Sequence, residues 1–268
     1  MKKITVPVLR RMKQAGEKIA CLTAYDYSFA SLLDAAGVDM VMVGDSLGMV
    51  VQGHETTLPV RLEDMVYHSA NVARGARRAF IIADLSFGSY QQSPDQAFES
   101  AACLMGEGGA QCVKLEGGEI MAETVRFLTA RGVPVCAHIG LQPQSVFRLG
   151  GYGVQGREAQ EAERLFNDAV ALEEAGADLV VLESIPSDLA RRISQRLVIP
   201  TIGIGAGPHC DGQVLVLYDM LGIYPRPAPK FSRNFLVGAG GVRDAVERYV
   251  QAVRTGEFPG AGQVSGAE

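Results

Sequence analysis

Thr201-Ile202-Gly203-Ile204-Gly205-Ala206-Gly207-Pro208 is the stretch that separates two fold readings of this chain. A dinucleotide fingerprint sets GxGxxG directly after an early strand, at the opening of a helix. Here the glycines follow the seventh strand-like run, and Pro208 stands where a helix should be under way. The segment therefore reads as a tight, small-residue loop. Loops after strands seven and eight of a barrel often hold phosphate, but close packing around a ligand or turn geometry explains these glycines better.

Working outward, short β-rich runs cover 19–23, 40–43, 80–84, 112–116, 133–138, 179–183, 199–204 and 214–218. Most are apolar on both faces, as strands buried between two layers must be. Helical patterns lie between them. The stretch 26–36 ends at Gly37, a glycine C-cap, and 94–105 opens after Ser93 with Pro94 at the first helical position. Further helices are expected over 119–130, 158–175, 187–196 and 242–253, with an extra N-terminal one over 5–14. Eight βα units favour closure over an open sheet. The expectation is an α/β fold: a single (βα)₈ TIM barrel over residues 1–256 with an extra N-terminal helix, and a flexible glycine-rich tail over 257–268.

Composition narrows the function classes. A net charge of −5 gives no nucleic-acid footprint. Arg74, Arg77 and Arg78, the densest basic cluster, read as a solvated loop or helix end, with a subunit contact as the alternative. No apolar run reaches the ~20 residues a bilayer needs, and 1–14 lacks the apolar stretch of a signal peptide. The five cysteines form neither CxxC pairs nor an even framework, and Cys21, Cys112 and Cys136 sit in strand-like runs as buried free thiols. A cytoplasmic location is expected.

Barrel chemistry collects at the C-terminal ends of the strands. Those ends carry Asp45 and Ser46, Asp84, Lys114 and Glu116, His138, and Glu183. Taken singly, each would more often be a cap or an ion-pair partner. Burying a lone carboxylate costs several kcal/mol unless it is paired or metal-bound, so convergence of five strands on one mouth argues for a site. Lys114 and Glu116, two apart on a strand, point the same way, leaving Val113 and Leu115 toward the helices. Two aspartates and a glutamate without a Cys/His cluster suit Mg²⁺ better than Zn²⁺. Lys114 suits an anionic substrate group, and Glu183 is the natural general base. His138 stays open between catalysis and a supporting hydrogen bond.

Several segments together resemble the ketopantoate hydroxymethyltransferase family over about residues 4–252. They are Thr23-Ala24-Tyr25-Asp26-Tyr27-Ser28, Val43-Gly44-Asp45-Ser46-Leu47-Gly48-Met49, Gly53-His54-Glu55-Thr56-Thr57-Leu58-Pro59-Val60, Lys114-Leu115-Glu116-Gly117-Gly118, His138-Ile139-Gly140-Leu141, Pro143-Gln144-Ser145, and Gly203–Gly207 through Asp211-Gly212-Gln213. The resemblance implies transfer of a one-carbon unit from 5,10-methylenetetrahydrofolate to 3-methyl-2-oxobutanoate, giving 2-dehydropantoate. It implies Asp45 and Asp84 as Mg²⁺ ligands, with Glu116 near the ion directly or through water. It also implies oxo-acid contacts from Asp45, Ser46, Asp84 and Lys114, Glu183 as proton acceptor, and a cytoplasmic homo-oligomer, commonly a decamer of five dimers. Gln142 departs from the Thr of many members, and 225–229 is unusually rich in proline. Two other classes compete: a lyase or mutase of the phosphoenolpyruvate mutase type, whose cysteine-bearing loop has no counterpart after the fourth strand, and a non-catalytic barrel, which would not keep all these residues.

Overall fold

Every strand residue except Glu183 is buried, because each strand has a neighbour on either edge and a packed layer on either face. The computed structural model describes residues 3–263 and shows a closed, all-parallel barrel whose strands pair in sequence order, the last returning to the first. The strands are β1 (Ile19–Thr23), β2 (Met40–Val43), β3 (Phe80–Asp84), β4 (Cys112–Glu116), β5 (Val135–Gly140), β6 (Leu179–Glu183), β7 (Thr201–Ile204) and β8 (Gly212–Leu215). The helices are α1 (Val6–Ala15), α2 (Tyr27–Ala35), α3 (Leu47–Val50), α4 (Leu62–Gly75), α5 (Pro94–Gly106) and α6 (Ala122–Thr129) in the first half. The second half adds α7 (Val146–Leu149), α8 (Ala159–Glu174), α9 (Ser187–Arg196), α10 (Leu217–Met220) and α11 (Val242–Thr255).

Alternation along the strands divides the core in two. Leu22, Val41, Ile81, Val113, Leu115, Ala137 and Leu182 face the helices, while Cys21, Met42, Ile82, Cys112, Cys136 and Val181 fill the barrel. Fully burying one such aliphatic side chain is worth about 1.5–3 kcal/mol, so the inner layer is a stable floor, and its cysteines are free thiols. Ile4 and Leu9 join that inner layer from α1 and its lead-in, closing the N-terminal end of the barrel. Lys13 on α1 bonds the carbonyls of Ser194 and Ile199, each at 2.9 Å, and pairs with Asp211. The polar end is therefore the other one.

Ser93 caps α5 as expected, whereas Asp26, expected as the first helical residue, is the N-cap of α2. Asp26 accepts from Phe29 N and Ser93 from Gln96 N, starting α2 and α5. The seam between β8 and β1 is braced from outside by Tyr249 of α11, whose hydroxyl reaches Cys21 O at 2.8 Å and Gln213 O at 2.9 Å.

One helix and three strands depart most clearly from the sequence reading. The α4 helix was not expected. Its core side is Met65, Ser69, Val72 and Gly75, too poor in large apolar residues to announce a helix. Gly75 is needed because a Cβ there would meet Tyr27 O at 2.6 Å and Ala30 Cβ at 2.9 Å. The eighth strand runs 212–215, not 214–218, because Leu217 N turns to Thr23 Oγ1 at 2.9 Å and opens α10. The fifth and seventh strands begin two residues later than expected, and the fifth continues to Gly140. Arg74 does lie in the last turn of a helix, with Arg74 and Arg77 exposed, whereas Arg78 is half-buried against Asp39 at 3.5 Å. In the stretch expected to be a tail, Phe258 is buried against Phe235 and Tyr249, and residues 264–268 lie outside the described residues.

The glycine stretch packs within the chain. Gly205 and Gly207 have φ of 63° and 79°, in the left-handed region. A Cβ on Gly203 would meet Cys210 Sγ at 2.9 Å, and one on Gly207 would meet Ser187 Oγ at 2.3 Å. Turn geometry and close packing account for these glycines.

Candidate active site

Asp84, Lys114, Glu116, His138 and Glu183 share the strand parity of the inner apolar layer but sit one step above it. Register aligns them: Asp84 pairs with Lys114, Glu116 with His138, and Gly140 with Glu183. Asp45 joins from the turn after β2, where Gly44 is required for closeness, since a Cβ there would lie 2.8 Å from Ser46 Oγ and 3.5 Å from Asp84 Oδ2. The result is a polar layer on an apolar floor at the C-terminal mouth.

Lys114 is the hub. Its Nζ lies 3.2 Å from Asp84 Oδ2 and 3.2 Å from His138 Nδ1. Asp84 Oδ2 also accepts from Asp45 N at 3.1 Å. Asp45 Oδ2 accepts from Gln144 Nε2 at 2.8 Å, and Glu116 Oε2 accepts from Gln144 N at 3.0 Å. Tyr25 and Ser46 share a hydroxyl–hydroxyl bond of 2.8 Å at the edge of the layer. His138 Nε2 stands 3.1 Å from Glu183 Oε2, close but out of line for a hydrogen bond.

Burial dominates the electrostatics. It pushes the Asp84 carboxyl up to about 7, against the pull of Lys114, and raises Asp45 and Glu116 against the same pull. Burial opposes charge on Lys114 too, yet Asp84, Glu116 and Asp45 outweigh it and hold the ammonium above its ordinary range. Burial and then Lys114 lower His138, so its ring is neutral at pH 7. A charged Lys114 donates to Nδ1, which leaves the proton of the neutral ring on Nε2, facing Glu183.

Carboxylates thus outnumber cations in a desolvated layer, and Asp84 Oδ1 is buried with no hydrogen-bond partner. That donor set fits a hard divalent cation. Among the described residues, however, no group of three or more His, Cys, Asp or Glu is set to hold a metal ion. The expected trio of Asp45, Asp84 and Glu116 is not drawn together, because Gln144 N holds one Glu116 oxygen and the other lies 3.7 Å from His138 Nδ1. Two carboxylates with remaining positions for water and substrate is the usual magnesium pattern.

Residues 3–261 match the family model for ketopantoate hydroxymethyltransferase. The chain belongs to that family. It is 62% identical over 258 residues to the 3-methyl-2-oxobutanoate hydroxymethyltransferase of Thiobacillus denitrificans, covering 96% of this chain and 98% of the relative. Against the enzyme of the same name from Nitrosospira multiformis it is 59% identical, with the same coverage. Among solved structures, phosphonopyruvate hydrolase with oxalate and Mg²⁺ superposes with a TM-score of 0.60 at 15% identity over 81% of each chain. 2,3-Dimethylmalate lyase gives 0.58 at 18% identity, covering 81% of this chain and 82% of the lyase. At such identities the likeness is one of fold, and the sequence relatives set the family.

Within this ketopantoate hydroxymethyltransferase-family barrel the expected residues come together at one mouth: Asp45, Asp84, Lys114, Glu116 and His138 buried, Ser46 and Glu183 partly exposed. Sequence reading missed the residues that hold them. Gln144 stood in a quoted motif without a role, and Tyr90 lies in a loop. Tyr90 Oη sits 3.1 Å from Glu116 N and 2.7 Å from Gln144 Oε1. The place of Gln144 in the quoted Pro143-Gln144-Ser145 segment, just past the end of the fifth strand, was the signal the sequence offered. In the turn after Glu183, Ser184 adopts φ 47°, a left-handed conformation uncommon outside glycine. No helix among the described residues is long and apolar enough to cross a membrane.

Proposed function

We propose that this chain transfers a hydroxymethyl group from 5,10-methylenetetrahydrofolate to 3-methyl-2-oxobutanoate, forming 2-dehydropantoate in pantothenate biosynthesis. Family membership supports the reaction class. The observation that carries the mechanism is Lys114 held between Asp84 and His138 within a buried, carboxylate-rich layer.

Asp45 and Asp84 would hold Mg²⁺, with Glu116 reaching it through water. Bound Mg²⁺ supplies Lewis-acid polarisation of the oxo acid, worth several kcal/mol. Lys114, always charged here, receives the substrate carboxylate and balances negative charge as it develops. Ser46, with Asp45 and Asp84, lines the same pocket. Glu183 removes the C3 proton, since it is the one carboxylate of the group with no hydrogen-bond donor in line and with partial access to the mouth. His138, neutral with its proton on Nε2, faces Glu183 and steadies its charge. The resulting carbon nucleophile bonds to the one-carbon unit of the folate. Both C–N bonds of that methylene break, one water supplies the hydroxyl oxygen of the product, and tetrahydrofolate leaves with the C3 proton and one water proton on its two nitrogens. The apolar floor of Cys21, Met42, Cys112 and Cys136 keeps bulk water from the rear of the site.

A cytoplasmic homo-oligomer, a decamer of five dimers, completes the proposal; light scattering on the purified protein tests the assembly. The reaction itself is tested by product formation with and without methylenetetrahydrofolate. Hydroxymethylated product that requires the folate supports the proposal. Turnover of the oxo acid to another product without folate would favour a mutase- or lyase-type reaction on the shared fold.

A further inference from the structure

We infer that Gln144 is the positioning residue that sets the Asp45 carboxylate for a divalent cation. The inference rests on the magnesium reading and adds a residue to it. Gln144 lies in the 3₁₀ turn Pro143–Ser145 that follows β5, across the mouth from β2.

The residue is only 6% exposed, and its side-chain amide uses its full hydrogen-bonding capacity. Nε2 donates to Asp45 Oδ2 at 2.8 Å and to Leu85 O at 2.9 Å. Oε1 accepts from Tyr90 Oη at 2.7 Å and from Gln91 Nε2 at 3.0 Å. A carboxylate and a carbonyl can only accept, so the NH₂ must face them, and the amide orientation is determined rather than assigned by convention. With both donors and both lone pairs committed, Gln144 has nothing left to offer a substrate. It acts on other residues.

Two of them are acids of the site. The side chain pins one oxygen of Asp45, which fixes the carboxylate plane and the direction of the other oxygen. The backbone N–H of the same residue holds Glu116 Oε2 at 3.0 Å. A neutral donor suits this task. Lys or Arg would orient Asp45 equally well but would add a positive charge against the cation, whereas an amide leaves the full negative charge of Asp45 available. Partners of this kind typically contribute about 10–100-fold to metal affinity.

The test measures Mn²⁺ binding to the full-length protein by electron paramagnetic resonance, without substrate. Gln144→Met keeps the length of the side chain and removes both donors. With a parent-like circular dichroism spectrum, it should bind Mn²⁺ about 10–100-fold more weakly. Its KM for the oxo acid at fixed Mg²⁺ should rise and recover as Mg²⁺ is raised, with kcat at saturation changed far less. Tyr90→Phe, which removes one of the two donors to the amide oxygen, should weaken Mn²⁺ in the same direction by less, and the double variant should be no weaker than Gln144→Met alone. That second variant keeps the test decisive where Gln144→Met does not fold. Parent-like Mn²⁺ affinity in a folded Gln144→Met would overturn the role of Gln144 while leaving the magnesium reading intact. Absence of Mn²⁺ binding in the parent would overturn both.

Discussion

Lys114 Nζ lies 3.2 Å from Asp84 Oδ2 with both side chains almost wholly buried, so the ammonium is the principal counter-charge to a carboxylate in a desolvated layer. Removing one partner of such a pair leaves an uncompensated charge, at a cost of about 3–5 kcal/mol. Lys114→Met should lower stability by that order at pH 8, measured by urea unfolding of metal-free protein. The loss should shrink toward pH 5, where the Asp84 carboxyl is protonated. A loss independent of pH would contradict the pairing.

Glu183 and His138 predict a graded effect. Glu183→Gln should retain oxo-acid binding, measured by calorimetry, and lose about 10²–10⁴-fold in rate, the range for a positioned base. His138→Leu removes a neighbour of the base rather than the base, and should cost up to about 10²-fold. Equal loss in the two variants would point to His138 as a direct proton carrier.

Asp84→Ala should behave otherwise. With the residue goes the orphaned oxygen Oδ1 and the anchor of Lys114. Binding of Mn²⁺ and of the oxo acid should fall together, whereas Glu183→Gln leaves both near the parent values. Unchanged metal affinity in Asp84→Ala would remove Asp84 from the ligand set.

Asp219 supplies a pH test outside the proposed chemistry. Burial pushes its carboxyl up from 3.8 to about 6, and Oδ1 lacks a hydrogen-bond partner. The native state therefore keeps a proton that the unfolded chain gives up at lower pH, so this group's contribution is present below 3.8 and is lost as pH rises through about 6. Asp219→Asn removes the titration. Its unfolding free energy relative to the parent, measured in urea, should be more favourable at pH 7.5 than at pH 4, by on the order of 1–3 kcal/mol. A difference constant with pH would show that the carboxyl ionises freely.

Much of this molecule was legible because its pattern is two-layered. Runs such as Met40–Val43 are apolar on both faces, as parallel strands between helices and a filled barrel require. The strand ends carried the site for a related reason: Asp84, Lys114, Glu116, His138 and Glu183 interrupt apolar runs at one end, where a barrel puts its chemistry. What stayed hidden depended on contacts distant in sequence. Helix α4 hides because Ser69 and Gly75 lie on its packed side, and Gly75 answers to Tyr27, not to its own neighbours. The apolar run after Gly212 could be strand or buried helix by composition alone, and Thr23 decides it. Gln144 and Tyr90 escaped notice because a positioning role belongs to a network, and no spacing rule links residue 144 to residue 45.

Proton NMR of 3-methyl-2-oxobutanoate in D₂O, with enzyme and Mg²⁺ and with or without methylenetetrahydrofolate, tests the central claim most directly. The expected result is metal-dependent loss of the C3 proton signal without folate, its suppression in Glu183→Gln, and a hydroxymethyl product only when folate is added. Folded, metal-bound protein that leaves the C3 proton in place under both conditions would contradict it.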